Sequence, residues 1–167
     1  PALAAGFVEI ELDVETGKRV WHYQFVRHDV WDRDLPQAPV LVTVQRQGRP
    51  VDAVAQVTKT GHVFLFHRET GEPLFPIAEH NAPPSDLEGE RTWPTQPLPV
   101  SPPPFARQAF TEADITTLSP EATASVRERW RAARTGHLFT APSEQGTIIF
   151  PGFDGGGEWG GSAFDAR

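Results

Sequence analysis

The sequence contains no cysteine, and this absence removes several kinds of chemistry at once. Disulfides, thiolate metal sites and cysteine nucleophiles are all excluded. Positive charge is also scarce, since 15 Lys and Arg residues stand against 22 Asp and Glu residues, for a net charge of −7. Binding to a nucleic-acid backbone needs a surplus of Lys and Arg, so we expect no nucleic-acid partner. No apolar run approaches the roughly 20 residues of a membrane-spanning helix.

Turn-forming and aromatic residues, by contrast, are abundant. The chain of 167 residues has 17 prolines and 14 glycines, which indicates that much of it is turn and loop. A hydrophobic fraction of 38% and an aromatic fraction of 10% are too high for a disordered segment. The length suits one domain with a core of its own.

Two stretches of the sequence predict β-hairpins. In the first, residues 6–25, a strand with a period of two leads into the turn Asp13–Lys18, where Gly17 can take a positive φ. The second, residues 53–75, repeats this arrangement with a K-T-G turn at Lys59–Gly61. Both stretches contain E-T-G, then two or three residues, then a bulky apolar residue. This recurrence, at a spacing of about 55 residues, favours repeated antiparallel blades.

The rest of the chain is less regular. Residues 76–110 are rich in proline and lack a periodic pattern, so we expect extended loop there. One short helix is predicted near 120–134, because Ser119 is a suitable N-cap and Pro120 suits the first helical position. The stretch "GTIIF", Gly146–Phe150, is a third strand candidate.

The stretch "HDVWDRDLP", His28–Pro36, crowds three carboxylates around a tryptophan. One interpretation is a solvated acidic turn after a strand. The other is a site that uses a general base or binds a cation, since partial burial beside a tryptophan can tune the pKa of a carboxylate. Asp32, next to Trp31, is the stronger candidate for such a role. We expect Asp29 and Asp34 to cap the turn.

Lys59 and the histidines offer further candidates, each with a plainer alternative. Lys59 in "VTKTGHV" can be an exposed turn lysine, and the K-T-G box of β-lactamases is unsupported because no S-x-x-K or S-D-N accompanies it. His62, His67 and His80 lack the spacing of a zinc site. We interpret these histidines as surface or cross-strand residues.

The glycine-rich stretch "GFDGGGEWGG", Gly152–Gly161, follows one strand candidate and precedes another rather than a helix. Dinucleotide binding is therefore not indicated. Two interpretations stay open. The stretch can be a flexible loop, or its backbone can press close to a flat ligand with Glu158 and Trp159 at the edge.

Taken together, these motifs resemble the quinoprotein dehydrogenases that use pyrroloquinoline quinone (PQQ), most closely the membrane-bound glucose dehydrogenase type. The matching stretches run in the family's order: "DVETGKRVWHYQFVRHDVWDRDLP", "VTKTGHVFLFHRETGEPLFP", "PTQPLP" and "FTAPSEQGTIIFPG…EWGG". The resemblance implies a mainly β fold, an eight-bladed propeller with four-stranded antiparallel blades. Residues 1–167 would supply about two of these blades, with a loop and helix excursion over 76–140.

The resemblance also implies roles for particular residues. Blades of the family are tied by a tryptophan-docking motif, and Trp21 matches the docking ring. The second copy departs from the motif, because His67 replaces the usual aspartate and Phe75 stands at the tryptophan position. Asp32 matches the family's catalytic base, and Lys59 matches the basic residue that hydrogen-bonds the quinone oxygens. The glycine-rich loop would then bring Glu158 and Trp159 to the cofactor.

The cofactors implied are PQQ and Ca²⁺, with most of the Ca²⁺ ligands and other cofactor contacts outside this segment, in which no metal-ligating residue is assigned. The implied reaction is oxidation of an aldose or alcohol by hydride transfer to the quinone, with electrons passed to a quinone acceptor. The implied location is the periplasmic side of the bacterial inner membrane. The alternative from another class is a non-catalytic propeller that serves as a binding scaffold. A partial propeller has open blade edges, so we expect the isolated segment to be inactive and to self-associate or to pair with the remaining blades.

Overall fold

The computed structural model describes residues 8–166 and places seven strands, one 3₁₀-helix and one α-helix in that range. The strands form three antiparallel sheets, ordered β1-β2, β3-β4-β5 and β6-β7. The elements are β1 (Val8–Leu12), β2 (Arg19–Gln24), β3 (Val40–Arg46), β4 (Arg49–Val57), β5 (Val63–His67), β6 (Ile77–Asn81), β7 (Thr95–Pro99), the 3₁₀-helix Glu112–Asp114 and α1 (Pro120–Ala132). The expectation of a mainly β fold with antiparallel sheets and one helix is confirmed.

The hairpin β1–β2 follows the prediction closely. Its turn is closed by the carboxylate of Asp13, which accepts hydrogen bonds from the backbone N–H groups of Glu15 at 3.1 Å and Thr16 at 2.7 Å. Gly17 has a φ of 66°, which a glycine adopts without strain. Residues 1–7, including Phe7 of the predicted strand, lie outside the described residues, as does Arg167.

The second E-T-G turn has the same shape but a weaker cap. His67 stands where Asp13 stands in the first turn, and its Nδ1 accepts a single hydrogen bond, from Glu69 N–H at 3.3 Å. Gly71 again has a positive φ, of 70°. A carboxylate offers two acceptor oxygens and an imidazole offers one, so the histidine ties the turn less firmly.

Trp21 joins the two turn units. Its indole Nε1 donates a hydrogen bond of 2.9 Å to the carbonyl oxygen of Arg68, in the second turn. The ring lies directly against Gly71, where an added Cβ would come within 2.6 Å of Trp21 Cδ2. Trp21 is therefore buried under the following turn, in the manner that the docking motif implies.

The middle sheet contains one strand that was not predicted, β3. It pairs with β4 through a tight turn in which Gln47 and Gly48 have φ values of 51° and 75°. Two successive positive φ values match the right-handed twist of a hairpin. Strands β4 and β5 were predicted, although β4 begins at Arg49 rather than near residue 53.

Two expectations about strands are wrong. The region 76–110 was expected to be loop, yet it contains the hairpin β6–β7. Its second strand includes Pro97 and Pro99, which is possible because β7 has a partner on one side only. The candidate strand Gly146–Phe150 is not a strand, since only Thr147 forms a bridge, to Arg134, and no strand runs beside it.

Within the described residues the largest sheet has three strands, so this range contains no complete four-stranded blade. The chain does supply the predicted helix. Ser119 Oγ accepts a hydrogen bond from Ala122 N–H at 3.1 Å, Pro120 is the first helical residue, and α1 ends at Ala132.

An aromatic core holds these pieces together. Phe25 of the segment after β2 meets Phe64 of β5 edge to face, with ring centroids 4.8 Å apart. Trp31 meets Phe139 in the same way at 5.4 Å, and both rings are almost fully buried. These contacts involve three parts of the chain: the segment after β2, strand β5, and the segment beyond α1.

Candidate active site

Lys59 lies in the turn between β4 and β5. The turn is closed by a hydrogen bond of 3.0 Å from Gly61 N–H to the carbonyl of Thr58, and Gly61 has a φ of 78°. The side chain of Lys59 is only 8% exposed. The interpretation of Lys59 as an exposed turn lysine is therefore wrong, and a buried ammonium needs a partner.

The acidic stretch is a structured loop rather than a free turn. The carboxylate of Asp29 accepts hydrogen bonds from the backbone N–H groups of Trp31 at 2.9 Å and Arg33 at 2.6 Å. Asp29 is thus a loop cap, as predicted, and burial raises its pKa above the usual value. Asp32 has a φ of 61°, a conformation that non-glycine residues rarely take and that is often found at functional sites.

The loop and the turn meet at the Lys59 ammonium. Lys59 Nζ donates to Asp32 Oδ2 at 3.2 Å and makes a short hydrogen bond to Asp34 Oδ1. Asp34 was expected to cap the turn, and this expectation is wrong because its carboxylate pairs with Lys59. The three residues form a cluster that we call the Asp–Lys–Asp triad. It combines a buried cation with one half-buried and one largely exposed carboxylate.

Opposing effects act on the Lys59 ammonium. Burial lowers its pKa, but the hydrogen bonds that it donates to Asp34 and then Asp32, with the negative charges of these carboxylates, outweigh burial and raise the pKa above the usual 10.5. Lys59 is therefore a fixed cation at neutral pH. The ammonium has three N–H donors and two carboxylate partners, so one donor is left for a further oxygen atom beside the triad.

Arg33 points the opposite way from its two neighbours and enters the core. It is 1% exposed, and its Nη1 donates to the carbonyl oxygens of Pro151 at 2.7 Å and Gly152 at 3.3 Å. Burial lowers its pKa to about 10, so the guanidinium remains charged at neutral pH. Arg33 thereby ties the acidic loop to the start of the glycine-rich stretch.

The glycine-rich stretch lies against the Lys59 turn. The N–H groups of Gly156 and Gly157 donate to the carbonyls of Lys59 at 2.8 Å and Thr58 at 3.1 Å. A Cβ added at Gly155 would lie 2.5 Å from Lys59 Cγ. A close backbone approach was predicted here, but the neighbour that the structure reveals is the Lys59 turn.

Glu158 and Trp159 follow directly. The Glu158 carboxylate accepts a hydrogen bond from Trp159 N–H at 3.1 Å, and the Trp159 residue is 81% exposed. Within residues 8–166 neither side chain makes a hydrogen bond or ion pair with the Asp–Lys–Asp triad. The structure brings Asp32 and Lys59 together, and the cofactor roles of Glu158 and Trp159 stay predictions.

Comparison with known proteins gives this geometry a context. Residues 10–167 match the family model for the PQQ glucose/ethanol/alcohol dehydrogenase β-propeller domain. The chain belongs to this quinoprotein family. It is 36% identical over 162 residues to the quinoprotein glucose dehydrogenase of Escherichia coli K12, covering 93% of this chain and 20% of that protein. It is 38% identical over 164 residues to the quinoprotein glucose dehydrogenase of Gluconobacter oxydans, covering 95% and 20%.

A third relative of this quinoprotein segment has a different substrate in its name. The quinate/shikimate dehydrogenase (quinone) of Acinetobacter baylyi is 36% identical over 157 residues, covering 93% of this chain and 19% of that protein. The chain thus spans about a fifth of the length of the curated relatives it matches. Among solved structures, a quinohemoprotein alcohol dehydrogenase from Pseudomonas putida HK5 aligns with a TM-score of 0.47 and 20% identity, over 91% of this chain and 17% of that one.

Sequence reasoning missed two residues of the quinoprotein site, Asp34 and Arg33. Asp34 stands two positions from the candidate base Asp32, but the left-handed backbone of Asp32, with its φ of 61°, breaks the alternation of an extended strand. The spacing alone therefore did not predict which side chains face Lys59 and which one enters the core.

Among the histidines, His62 departs from the surface interpretation. It is buried, its Nδ1 lies 3.1 Å from the carbonyl oxygen of Thr60, and burial lowers its pKa below 6.5. His67 is half-buried and His80 is exposed. Over the described range 8–166, no three His, Asp or Glu side chains are placed to hold a metal ion. In the same range no helix has the length and apolar character required to cross a membrane.

Proposed function

We propose that this chain supplies part of the active site of a PQQ-dependent dehydrogenase, with Asp32 as general base and Lys59 as the cation beside the quinone oxygens. The observation that carries the proposal is the Asp–Lys–Asp triad, in which a buried ammonium lies 3.2 Å from an exposed carboxylate on a left-handed backbone. A buried ion pair is weak evidence for a purely stabilising role, because the desolvation cost of the charges offsets much of their attraction.

Asp32 and Lys59 suit two different requirements of alcohol oxidation, which are removal of the hydroxyl proton and stabilisation of negative charge on the quinone oxygens. PQQ, when bound, accepts the hydride that leaves the substrate carbon. Asp32, whose side chain is 56% exposed, is open to a substrate hydroxyl and would take its proton at a carboxylate oxygen. Lys59 would donate a hydrogen bond toward oxygen atoms on which negative charge develops. Because its ammonium is held in place beforehand, it needs no reorganisation when that charge appears.

The described residues fit the cofactor and the metal differently. A planar, anionic quinone fits beside a fixed cation, and the exposed ring of Trp159, with Glu158 next to it, is available to its edge. Calcium does not fit in the same way, since residues 8–166 provide no metal-binding cluster. We propose that the calcium ligands come from other parts of the protein.

We further propose an aldose or a short alcohol as the substrate and a quinone as the electron acceptor. Support comes from relatives of 35–38% identity whose names include glucose, quinate/shikimate and glycerol dehydrogenases. A location on the periplasmic side of the inner membrane follows from the same resemblance. The outer strands of the small sheets, apart from β5, whose outer edge is bonded to residues 72–74, suit pairing with further blades of a propeller or with a second copy of the chain.

The test uses the full-length protein that carries this chain, reconstituted with PQQ and Ca²⁺, in a dye-reduction assay with aldoses and short alcohols. Asp32→Asn keeps the shape of the side chain and removes the base, so turnover should fall by about 10²–10⁴-fold while PQQ stays bound. Asp52→Asn, which removes a carboxylate paired with Arg68, is the control and should leave turnover unchanged. Failure of the unaltered protein to bind PQQ or reduce the dye would favour the binding scaffold instead.

A further inference from the structure

The two carboxylates of the Asp–Lys–Asp triad are not equivalent. Asp34 makes the shorter hydrogen bond to Lys59 Nζ and its side chain is 29% exposed, whereas Asp32 binds at 3.2 Å and is 56% exposed. Charges shielded from water interact more strongly and are screened less by salt. Asp34 is therefore the principal partner of the ammonium, and Asp32 is the looser one.

We propose that Asp34 is a positioning residue, which anchors the Lys59 ammonium and so leaves the Asp32 carboxylate available to accept a proton. This inference rests on the proposed function, in which Asp32 is the base. It assigns to Asp34 a task that neither a turn cap nor a solvated surface carboxylate would perform. Asp34 acts through Lys59 and does not itself exchange a proton with the substrate.

The stem of Lys59 is fixed independently of its charged end. Its carbonyl accepts the hydrogen bond from Gly156 N–H, and its Cβ and Cγ pack against Gly155. Only the position of Nζ depends on the carboxylates. Without Asp34, the ammonium would keep a single carboxylate partner, Asp32, and their present contact of 3.2 Å would tighten into an exclusive ion pair.

That ion pair would harm the site in two ways. A carboxylate that is fully engaged with an ammonium is a poorer proton acceptor, and an ammonium drawn toward Asp32 leaves the place where it would meet the quinone oxygens. The geometry of the acidic loop favours this arrangement, in which Asp34 anchors the Lys59 ammonium and Asp32 binds it more loosely. Arg33, held by the Pro151 carbonyl, fixes the backbone between the two aspartates and so helps to keep both carboxylates within reach of Nζ.

The first test measures the protonation of Lys59 directly, in the full-length protein without PQQ. Lys59 is labelled with an amine-acylating reagent over a range of pH, and the labelled peptide is quantified by mass spectrometry. The readout is the pH of half-maximal labelling rate rather than the final yield, because a change in accessibility alters the yield alone. Asp34→Asn removes the strongest interaction that raises the Lys59 pKa, while burial, which lowers it, remains.

We expect Asp34→Asn to lower the pH of half-maximal labelling by about one unit or more, which is tenfold more neutral amine at a given pH. Asp32→Asn should lower it by less, and Asp34→Glu should restore most of the original value. Asp86→Asn, which removes a carboxylate paired with Arg134, is the matched control and should have no effect. The proposal is overturned if Asp32→Asn has the larger effect, or if Asp34→Asn behaves like Asp86→Asn.

The second test asks whether the anchored ammonium matters for the reaction. In the PQQ-reconstituted protein, Asp34→Asn should raise the PQQ concentration needed for half-maximal reconstitution about tenfold and should also lower kcat. Unchanged values for both quantities would overturn the positioning role. If the unaltered protein fails to use PQQ while the labelling results hold, the proposed function is wrong but the pairing of Asp34 with Lys59 stands, so the two failures are distinguishable.

Discussion

Replacing Gly156 with alanine measures how tightly the glycine-rich stretch is pressed onto the Lys59 turn. A Cβ at this position would lie 2.5 Å from Gly61 Cα and 2.9 Å from Gly61 N. Both neighbours are backbone atoms, which cannot swing aside as a flexible side chain would. The stretch must therefore move away from the turn, and its hydrogen bond to the Lys59 carbonyl must lengthen or break.

The expected loss follows from two contributions. Overpacking of a close contact costs about 1–3 kcal/mol. Weakening one backbone hydrogen bond adds about 1 kcal/mol. We therefore expect Gly156→Ala to lower the free energy of unfolding by about 2–4 kcal/mol, measured by urea denaturation of the full-length protein.

Other glycines of the same stretch provide controls that separate the causes. Gly160 has open space around it and a φ outside the positive region, so Gly160→Ala should be close to neutral. Gly161 also has open space but a φ of 83°, so Gly161→Ala isolates backbone strain, of about 1 kcal/mol. Equal stability of the Gly156→Ala and Gly160→Ala proteins would refute the close packing.

Two further predictions concern Trp21 and His62. Trp21→Phe keeps an aromatic ring beside Gly71 but removes the hydrogen bond to the Arg68 carbonyl. The free energy of unfolding, measured by urea denaturation, should therefore fall by about 1–3 kcal/mol. An unchanged midpoint would contradict a docking role for the indole N–H. Burial lowers the pKa of His62 in the folded protein below its unfolded value, near 6.5. The stabilising effect of a neutral His62 is thus present above pH 6.5 and is lost as the pH falls below it through the folded pKa. Denaturation curves between pH 7.5 and 5 should show a smaller acid loss for His62→Gln, and equal losses in both proteins would contradict this assignment.

Features governed by neighbours in sequence were predictable. The turns at Asp13–Lys18 and Lys59–Gly61 depend on glycines at positive φ, and the start of α1 depends on Ser119 and Pro120. Each of these signals lies within a few residues of the structure it specifies. The chemical types at the site, a carboxylate beside a tryptophan and a lysine in a turn, were also visible in the sequence alone.

Features governed by distant partners were not predictable in the same way. The prolines of β7 suggested loop, because nothing local reveals that the strand has only one neighbour. Gly146–Phe150 has the composition of a strand, yet no extended segment lies alongside it. The pairing of Asp34 with Lys59 joins residues 25 positions apart, and only the meeting of loop and turn brings them together.

The contact between Trp21 and the second turn has a consequence for how the molecule can come apart. A two-stranded hairpin is marginally stable by itself in water, and β1–β2 is such a hairpin. Its tryptophan covers a turn 47 residues further along the chain, so neither element can loosen without exposing the other. Local unfolding therefore involves both the β1–β2 hairpin and the second turn rather than one of them alone. An insertion in the chain between these two elements should disturb their coupling less than a change within either turn.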